Sequence, residues 1–503
     1  MSISSRPAVR RTLIGLLTVV ASLVAGGVGN ATAATPTCHT QTYVSAPTLK
    51  AQSVCENLGV TTQGTQPGTY LFLTPNGGQG AGAGIFQDNG SLVWWLGMNG
   101  TRDHDMTVVQ YQGQPYIALW TGKAPGGGSY GIGSVTLYDQ HYHVAGQISI
   151  SNAYGADGID LHEFQITPEG DALVGSYTPR WMFVQKRWEW VLGYLVEKLS
   201  LVKDSKGIHT GQLLFAWSSF SDVPLSASHL PDPGRHQLWD YFHGNGITEA
   251  PDGDLLVSAR NTWGIYEIND RRGTKGFDHV YWQVGAPHDN TLAQQPWCYQ
   301  HDIVPLGHGV YSLYDDGGVG PGCQPGSTAH PARGVIISVD TSKRPVRVTL
   351  LHSYAHTPPI YTGFTGSFQA LSNGDALVDW GNVPEITEYN SSGKVNMDLT
   401  LSGFSYRGFR LPWDGQPTQP PSVAAKRSGA GTTVWASWNG STEVAAWQIL
   451  GGPDASHLSP VGARFTKTGF ETAMTLSGQY PTLAVQALNS SGAVLSTSGP
   501  ISG

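Results

Sequence analysis

Between residues 68 and 403 the chain alternates short apolar runs with polar turns, and one phrase recurs. It appears as Thr167-Pro-Glu-Gly-Asp-Ala-Leu-Val174, Ala250-Pro-Asp-Gly-Asp-Leu-Leu-Val257 and Leu371-Ser-Asn-Gly-Asp-Ala-Leu-Val378. Each copy has a Gly-Asp turn leading into an apolar strand, the chemistry of a β-hairpin. Looser copies stand at Gln112-Gly113 and Gly307-His308-Gly309. A second phrase, a strand ending in a polar turn, follows at 136–139, 264–269, 335–340 and 385–390. Two hairpins make a four-stranded sheet, so the repeat predicts an all-β, six-bladed β-propeller over 68–413. Its blades begin near Gly68, Arg102, Asp160, Tyr241, Tyr299 and Gly366. A string of separate sandwiches is the rival, disfavoured because no linker interrupts the repeats before about Pro412. Residues 188–201 mix helical periodicity with strand formers and stay undecided.

Beyond Trp413 the pattern changes. Residues 414–423 read as a proline-rich linker. Alternating strands at 433–438, 445–450 and 481–487 then predict a small β-sandwich of fibronectin type III or immunoglobulin kind over 424–503. That segment holds no cysteine and one histidine, His457, so no chemistry is expected there. Composition agrees with the strand reading: 65 glycines, 31 prolines and 13% charged residues suit many short strands joined by tight turns.

The first 33 residues read as a secretory signal, with Arg6, Arg10 and Arg11 before a short apolar run and Ala31-Thr32-Ala33 as a cleavage site. The apolar run ends at Gly26, Gly27 and Gly29, too early for a membrane span, and Arg10-Arg11 hints at twin-arginine export. Residues 34–67 form an N-terminal extension. Removing the signal takes the formal net charge from −8 to about −11. No basic stripe remains, which argues against a nucleic-acid partner. Four cysteines in an exported chain suggest two disulfides, most simply Cys38–Cys55 and Cys298–Cys323, among three possible connectivities.

Four histidines fall in register with the repeat. His162 and His301 stand eight residues before the turn glycines Gly170 and Gly309, His104 nine before Gly113, and His243 ten before Gly253. The same position in successive blades faces one level of a propeller's channel, so these imidazoles are expected to converge on one concave site. Arg260 ends the strand after the Gly253 turn and returns to the same face if that hairpin is regular. His39, His141, His143, His209, His288 and His352 lack the register, and packing or strand-end hydrogen bonding accounts for them. Several imidazoles with an arginine suit transfer of an anionic group, since guanidinium matches sulfate or phosphate and imidazole serves as nucleophile or base. They also suit a metal-dependent hydrolase or lyase, with Asp105, Glu163 and Asp302 beside the histidines. A non-catalytic binder of glycan or cell wall is the third reading, because propellers serve all three purposes.

The stretches Leu214-Phe-Ala-Trp-Ser-Ser219, Trp239-Asp-Tyr-Phe-His-Gly-Asn-Gly-Ile247, Asp252-Gly-Asp-Leu-Leu-Val-Ser-Ala-Arg260, Tyr299-Gln-His-Asp302 and Ser405-Tyr-Arg-Gly-Phe-Arg410 resemble the bacterial arylsulfotransferase family. This is the sulfate-ester-dependent kind that uses no nucleotide donor, and the likeness is closest to its actinobacterial and fungal branch. The resemblance implies a six-bladed propeller and a site of His, His, Arg and His, matched by His162, His243, Arg260 and His301. It makes His301 the histidine transiently sulfated, with Asn245 a substrate-binding residue two positions after His243. It also implies a disulfide beside that histidine, as Cys298 with Cys323 would supply. Two departures stand out: the segment between Arg260 and His301 is shorter than in the enterobacterial type, and His104 adds a channel histidine that could bind substrate. The expected activity moves a sulfuryl group from a phenolic sulfate donor to a phenol acceptor, with no cofactor or metal.

Overall fold

The computed structural model describes residues 37–39, 41–57, 67–76, 81–98, 102–125, 129–234, 237–285, 297–318, 330–343 and 345–503. The expected signal segment, His288 and Cys323 lie outside them. The described residues form one compact unit, and its architecture is all-β.

Four-stranded antiparallel meanders follow one another along the chain. They comprise Arg102–Tyr111, Gln114–Lys123, Ile132–Tyr138 and Val144–Ile148; then Phe164–Ile166, Ala172–Val184, Arg187–Asp204 and Gly207–Ser218. Next come Gly244–Glu249, Leu255–Ala259, Gly264–Ile268 and Val280–Val284; then His301–Gly307, Val310–Asp315, Arg333–Asp340 and Arg347–Tyr354. Ser367–Ala370, Ala376–Asp379, Glu385–Tyr389 and Val395–Leu401 make the last of the run. A short parallel contact, Ile208 with Gly146 and His209 with Gln147, joins the first two of these meanders at their outer strands.

The ring of sheets closes on itself. Gly408–Pro412 pairs with Thr69–Leu73 and completes the sheet of Gly82–Phe86 and Leu92–Gly97. An inner strand from the end of the region thus caps an edge that would otherwise be open for pairing. Thr37–His39 and Val54–Glu56 extend the sheet of Val395–Leu401, with Cys38 opposite Cys55 in register and disulfide-bonded to it. Cys298 is disulfide-bonded too.

The turn chemistry explains the hairpins. Gly170, Gly253 and Gly374 adopt φ of +93°, +88° and +88°, a region open to glycine without steric cost. Gln112-Gly113 and His308-Gly309 each have two successive positive φ values, the two-residue hairpin loop. Leu255–Ala259 and Gly264–Ile268 are buried along their whole length, whereas the outer strand Val280–Val284 alternates. Middle strands lie between neighbouring sheets, which is why they read as unbroken apolar runs. Residues 188–201, undecided by periodicity, lie in the strand Arg187–Asp204, paired with Ala172–Val184.

The C-terminal residues form two further sheets. One holds Ser422–Ser428, Gly431–Ser437 and Glu471–Leu476; the other holds Ser459–Thr466, Ala446–Gly452, Thr482–Leu488, Val494–Thr497 and Ile501–Ser502. They share a core of Val434, Trp447, Ile449, Met474 and Val485. Asn439 fastens them to the rest by two hydrogen bonds with the Trp95 backbone, at 2.9 and 3.0 Å.

Candidate active site

The start of each inner strand and the end of the next antiparallel strand lie at the same end of a sheet. His162 precedes Phe164–Ile166, His243 precedes Gly244–Glu249, and His301 opens His301–Gly307. Arg260 follows Leu255–Ala259, and its N–H donates to the His243 carbonyl at 2.8 Å. The hairpin is regular enough to return Arg260 to the histidine end. There His162, His243, Arg260 and His301 line one cavity of about 580 Å³. The ring centroids of His162 and His243 are 5.1 Å apart, and those of His162 and His301 are 6.5 Å apart. A cavity of about 600 Å³ lies elsewhere, among the turns around Gly113 and Gly170, and has no histidine or arginine in its lining.

Each of the three imidazoles is held by a carboxylate at Nδ1. His162 bonds Asp160 at 2.5 Å, His243 bonds Asp240 at 2.5 Å, and His301 bonds Asp316 at 2.7 Å. A carboxylate accepts, so Nδ1 carries the proton and Nε2 is left with a lone pair for a ligand. Burial pulls the His301 pKa well below its ordinary 6.5, helped by the Arg260 guanidinium and by His162 and His243. Burial also lowers His162, although Asp160 opposes it. His301 is therefore a neutral imidazole at neutral pH. His243 sits at φ +55°, a strained conformation worth about 1–3 kcal/mol that persists only where surrounding structure fixes it.

Arg260 is aimed rather than loose. It donates to the Gly363 carbonyl at 2.6 Å and to Asn261 Oδ1 at 3.1 Å, and its guanidinium lies 4.6 Å from the Tyr299 ring centre. Leu161, Leu230, Trp239, Phe364, Phe404 and Tyr406 give the cavity apolar walls, suited to an aromatic ring.

The other expected site residues are placed differently. Asn245 is fully buried and does not line the cavity; its amide donates to the Gln300 carbonyl at 2.7 Å, one residue before His301. His104 lies in Arg102–Tyr111, and its side chain is outside the described residues. The carboxylates Asp105, Glu163 and Asp302 gather around a residue that the histidine register does not single out, Arg407. Its guanidinium donates to Glu163 at 2.7 Å and to the Asn245 carbonyl at 2.9 Å, with Asp302 at 3.7 Å. Asp105 acts on the same group. Burial raises Glu163 to about 7 against the pull of Arg407. This buried cluster ties the strands just behind His162 and His301 to the closing segment that carries Tyr406.

The carboxylates of Asp160, Asp240 and Asp316 are likewise not singled out as site residues by the histidine register. Asp160 and Asp240 stand two and three residues before their histidines, a signal open to reading. Asp316 is fifteen residues beyond His301 and reaches it only through the hairpin register that sets His301 opposite Tyr314.

Among the described residues, no helix is long and apolar enough to cross a membrane. Among solved structures, the chain is similar to a protein of unknown function from Bacteroides caccae: 13% identity, 68% of this chain and 98% of that one covered, TM-score 0.40. A catalytically inactive virginiamycin B lyase from Staphylococcus aureus with quinupristin is similar at 14% identity over 68% and 80% of the two chains, TM-score 0.29. No curated protein matches. The sequence pattern of the family described as Arylsulfotransferase (ASST) matches residues 107–402, a span that contains His162, His243, Arg260, His301 and Asp316. The match covers more than half of the chain, and the protein belongs to the arylsulfotransferase family.

Proposed function

We propose that this protein moves a sulfuryl group from a phenolic sulfate ester to a phenolic acceptor in two steps through a sulfohistidine at His301, without a nucleotide donor. One observation carries the reading: three imidazoles, each with Nδ1 held by a carboxylate, share an apolar-walled cavity with a fixed guanidinium.

In the first step the Nε2 lone pair of His301 forms a bond to sulfur while the bond from sulfur to the aryl oxygen breaks. The phenolate leaves with that electron pair. A phenol has a pKa of about 10, so the departing oxygen needs only modest help from an acid. Charge spread over the sulfuryl oxygens is met by Arg260, and by His162 or His243 once protonated. An arriving sulfate ester brings the negative charge that favours such protonation in a buried site. In the second step an acceptor phenol oxygen attacks sulfur and gives its proton to whichever of His162 and His243 has passed its own to the departed phenolate. The N–S bond breaks, and His301 regains its lone pair.

The meanders, with the closing strand Gly408–Pro412, serve as the six blades of a propeller over 68–413. The terminal pair of sheets over 424–503 is then an accessory sandwich, and Asn245 acts by positioning the strand of His301. Export fits the disulfide Cys38–Cys55, because such bonds persist in oxidising compartments. A histidine backed by a carboxylate is also how metal ligands are oriented. Among the described residues, however, the ligand atoms that come within 4.8 Å of one another in a group of three belong to Asp252, Asp254 and Glu267, not to the site histidines.

The test is p-nitrophenyl sulfate with and without a phenol acceptor and with and without chelator. Nitrophenol release that requires the acceptor and ignores the chelator supports transfer. Release that the chelator stops points to a metal-dependent hydrolase or lyase.

A further inference from the structure

The strands Ala172–Val184 and Arg187–Asp204 run past the neighbouring sheets as a long hairpin, and its solvent face is aromatic. Trp181 and Phe183 alternate on one strand, Trp188 and Trp190 on the other, so all four share a face. They are 51%, 62%, 56% and 48% exposed. Trp181 pairs directly with Trp190, and Phe183 with Trp188. Trp181 and Trp188 stack at 6.3 Å with 13° between their planes. Leaving four large aromatic side chains this exposed on one patch is costly unless something covers it.

The patch is continuous with the cavity. Leu238–Asp240 lies parallel to the second strand, with Leu238 opposite Trp190, Trp239 opposite Val191 and Asp240 opposite Leu192. Directly paired residues point to the same side of a sheet, so Leu238 prolongs the row of Trp181 and Trp190. Leu238 lines the cavity, and Asp240 at the end of the same strand holds His243. At about 3.3 Å per residue, Trp188 lies roughly 13 Å along the strand from the level of Asp240. The hairpin is also pinned to the cavity wall: Arg187 bonds Asp232 at 2.5 Å, between the cavity-lining Pro231 and Pro233.

We propose that this aromatic face is the outer half of the acceptor site and binds the non-reacting rings of an extended aryl phenol. The proposal rests on the sulfuryl-transfer reading for the word acceptor, but the binding itself needs no reaction. A single-ring phenol fills only the inner cavity, while a molecule of two or three linked rings reaches from the histidines onto Trp190, Trp181 and Trp188. Stacking on flat, exposed rings favours planar aryl groups of any substitution, so the ladder selects for size and planarity.

The test is calorimetric titration, with no sulfate donor present, of a hydroxyflavone and of phenol into the wild-type protein and into Trp181→Ala/Trp190→Ala. A second variant, Phe183→Ala/Trp188→Ala, guards against a local packing defect in the first. The proposal expects the preference for hydroxyflavone over phenol to fall about tenfold in the first variant and to fall also in the second. Equal preference in wild type and both variants overturns it. So does tight binding of a cello-oligosaccharide in place of hydroxyflavone, or a wild-type dimer that the variants dissolve in sedimentation. Hydroxyflavone binding that needs the ladder, in a protein that transfers no sulfuryl group, supports this inference and counts against the sulfuryl-transfer reading alone.

Discussion

His301 and Asp316 meet across the first hairpin of their sheet, Nδ1 to Oδ2 at 2.7 Å, with both side chains sealed from solvent. The carboxylate fixes which nitrogen bears the proton, and the burial keeps the ring neutral. Burial also raises the Asp316 carboxyl well above the usual carboxylate range, against the pull of Arg260; replacing it by Asn puts an amide that can donate as well as accept against Nδ1 and lets the ring turn or change tautomer. Nitrophenol release in Asp316→Asn is expected to fall by about 100-fold or more, with KM moving less than kcat. An unchanged kcat would separate Asp316 from the chemistry.

The pH profile follows from the same burial. The pKa of His301 lies well below 6.5, so its lone pair persists as the medium is acidified through 6.5. The acid limb of kcat/KM is therefore expected below pH 6.5, and a limb at or above 6.5 would contradict the neutral-nucleophile assignment. Rate against pH with p-nitrophenyl sulfate at low concentration reads it directly.

Arg260 keeps its charge in Arg260→Lys but loses the planar fork and its hold on Gly363 and Asn261. The expected loss is about 100-fold in kcat. Rescue by the lysine to near wild-type rates would show that point charge is enough.

Arg407 is 2% exposed among three carboxylates. Arg407→Met strands Asp105, Glu163 and Asp302 without their cation, at an expected cost of about 3–5 kcal/mol. Thermal unfolding measures this. A Tm within a degree or two of wild type would mean the carboxylates are fully protonated at rest and need no partner.

Much of this site can be read from spacing because the repeat fixes orientation. His162, His243 and His301 precede glycine turns at near-equal intervals, and Arg260 closes a hairpin, so their shared end of the sheets follows from strand alternation. Asn245 rests on resemblance alone; two positions past His243 it is already inside its strand, where its amide serves Gln300. Arg407 leaves no such signal. It comes from the closing segment, over 100 residues beyond His301, and meets Glu163 and Asp302 only once the ring of sheets is shut. The exposed hairpin is hidden for another reason: 188–201 is apolar on both faces near its base and aromatic near its tip, which blurs any single period.

Peptide mapping after rapid alkaline quench of enzyme mixed with isotopically labelled p-nitrophenyl sulfate, acceptor omitted, tests the central assignment most directly. The account predicts one sulfuryl group per chain on the peptide containing His301, discharged when phenol is added before the quench. Label on another residue, or acceptor-dependent turnover with no label at any time, would contradict it.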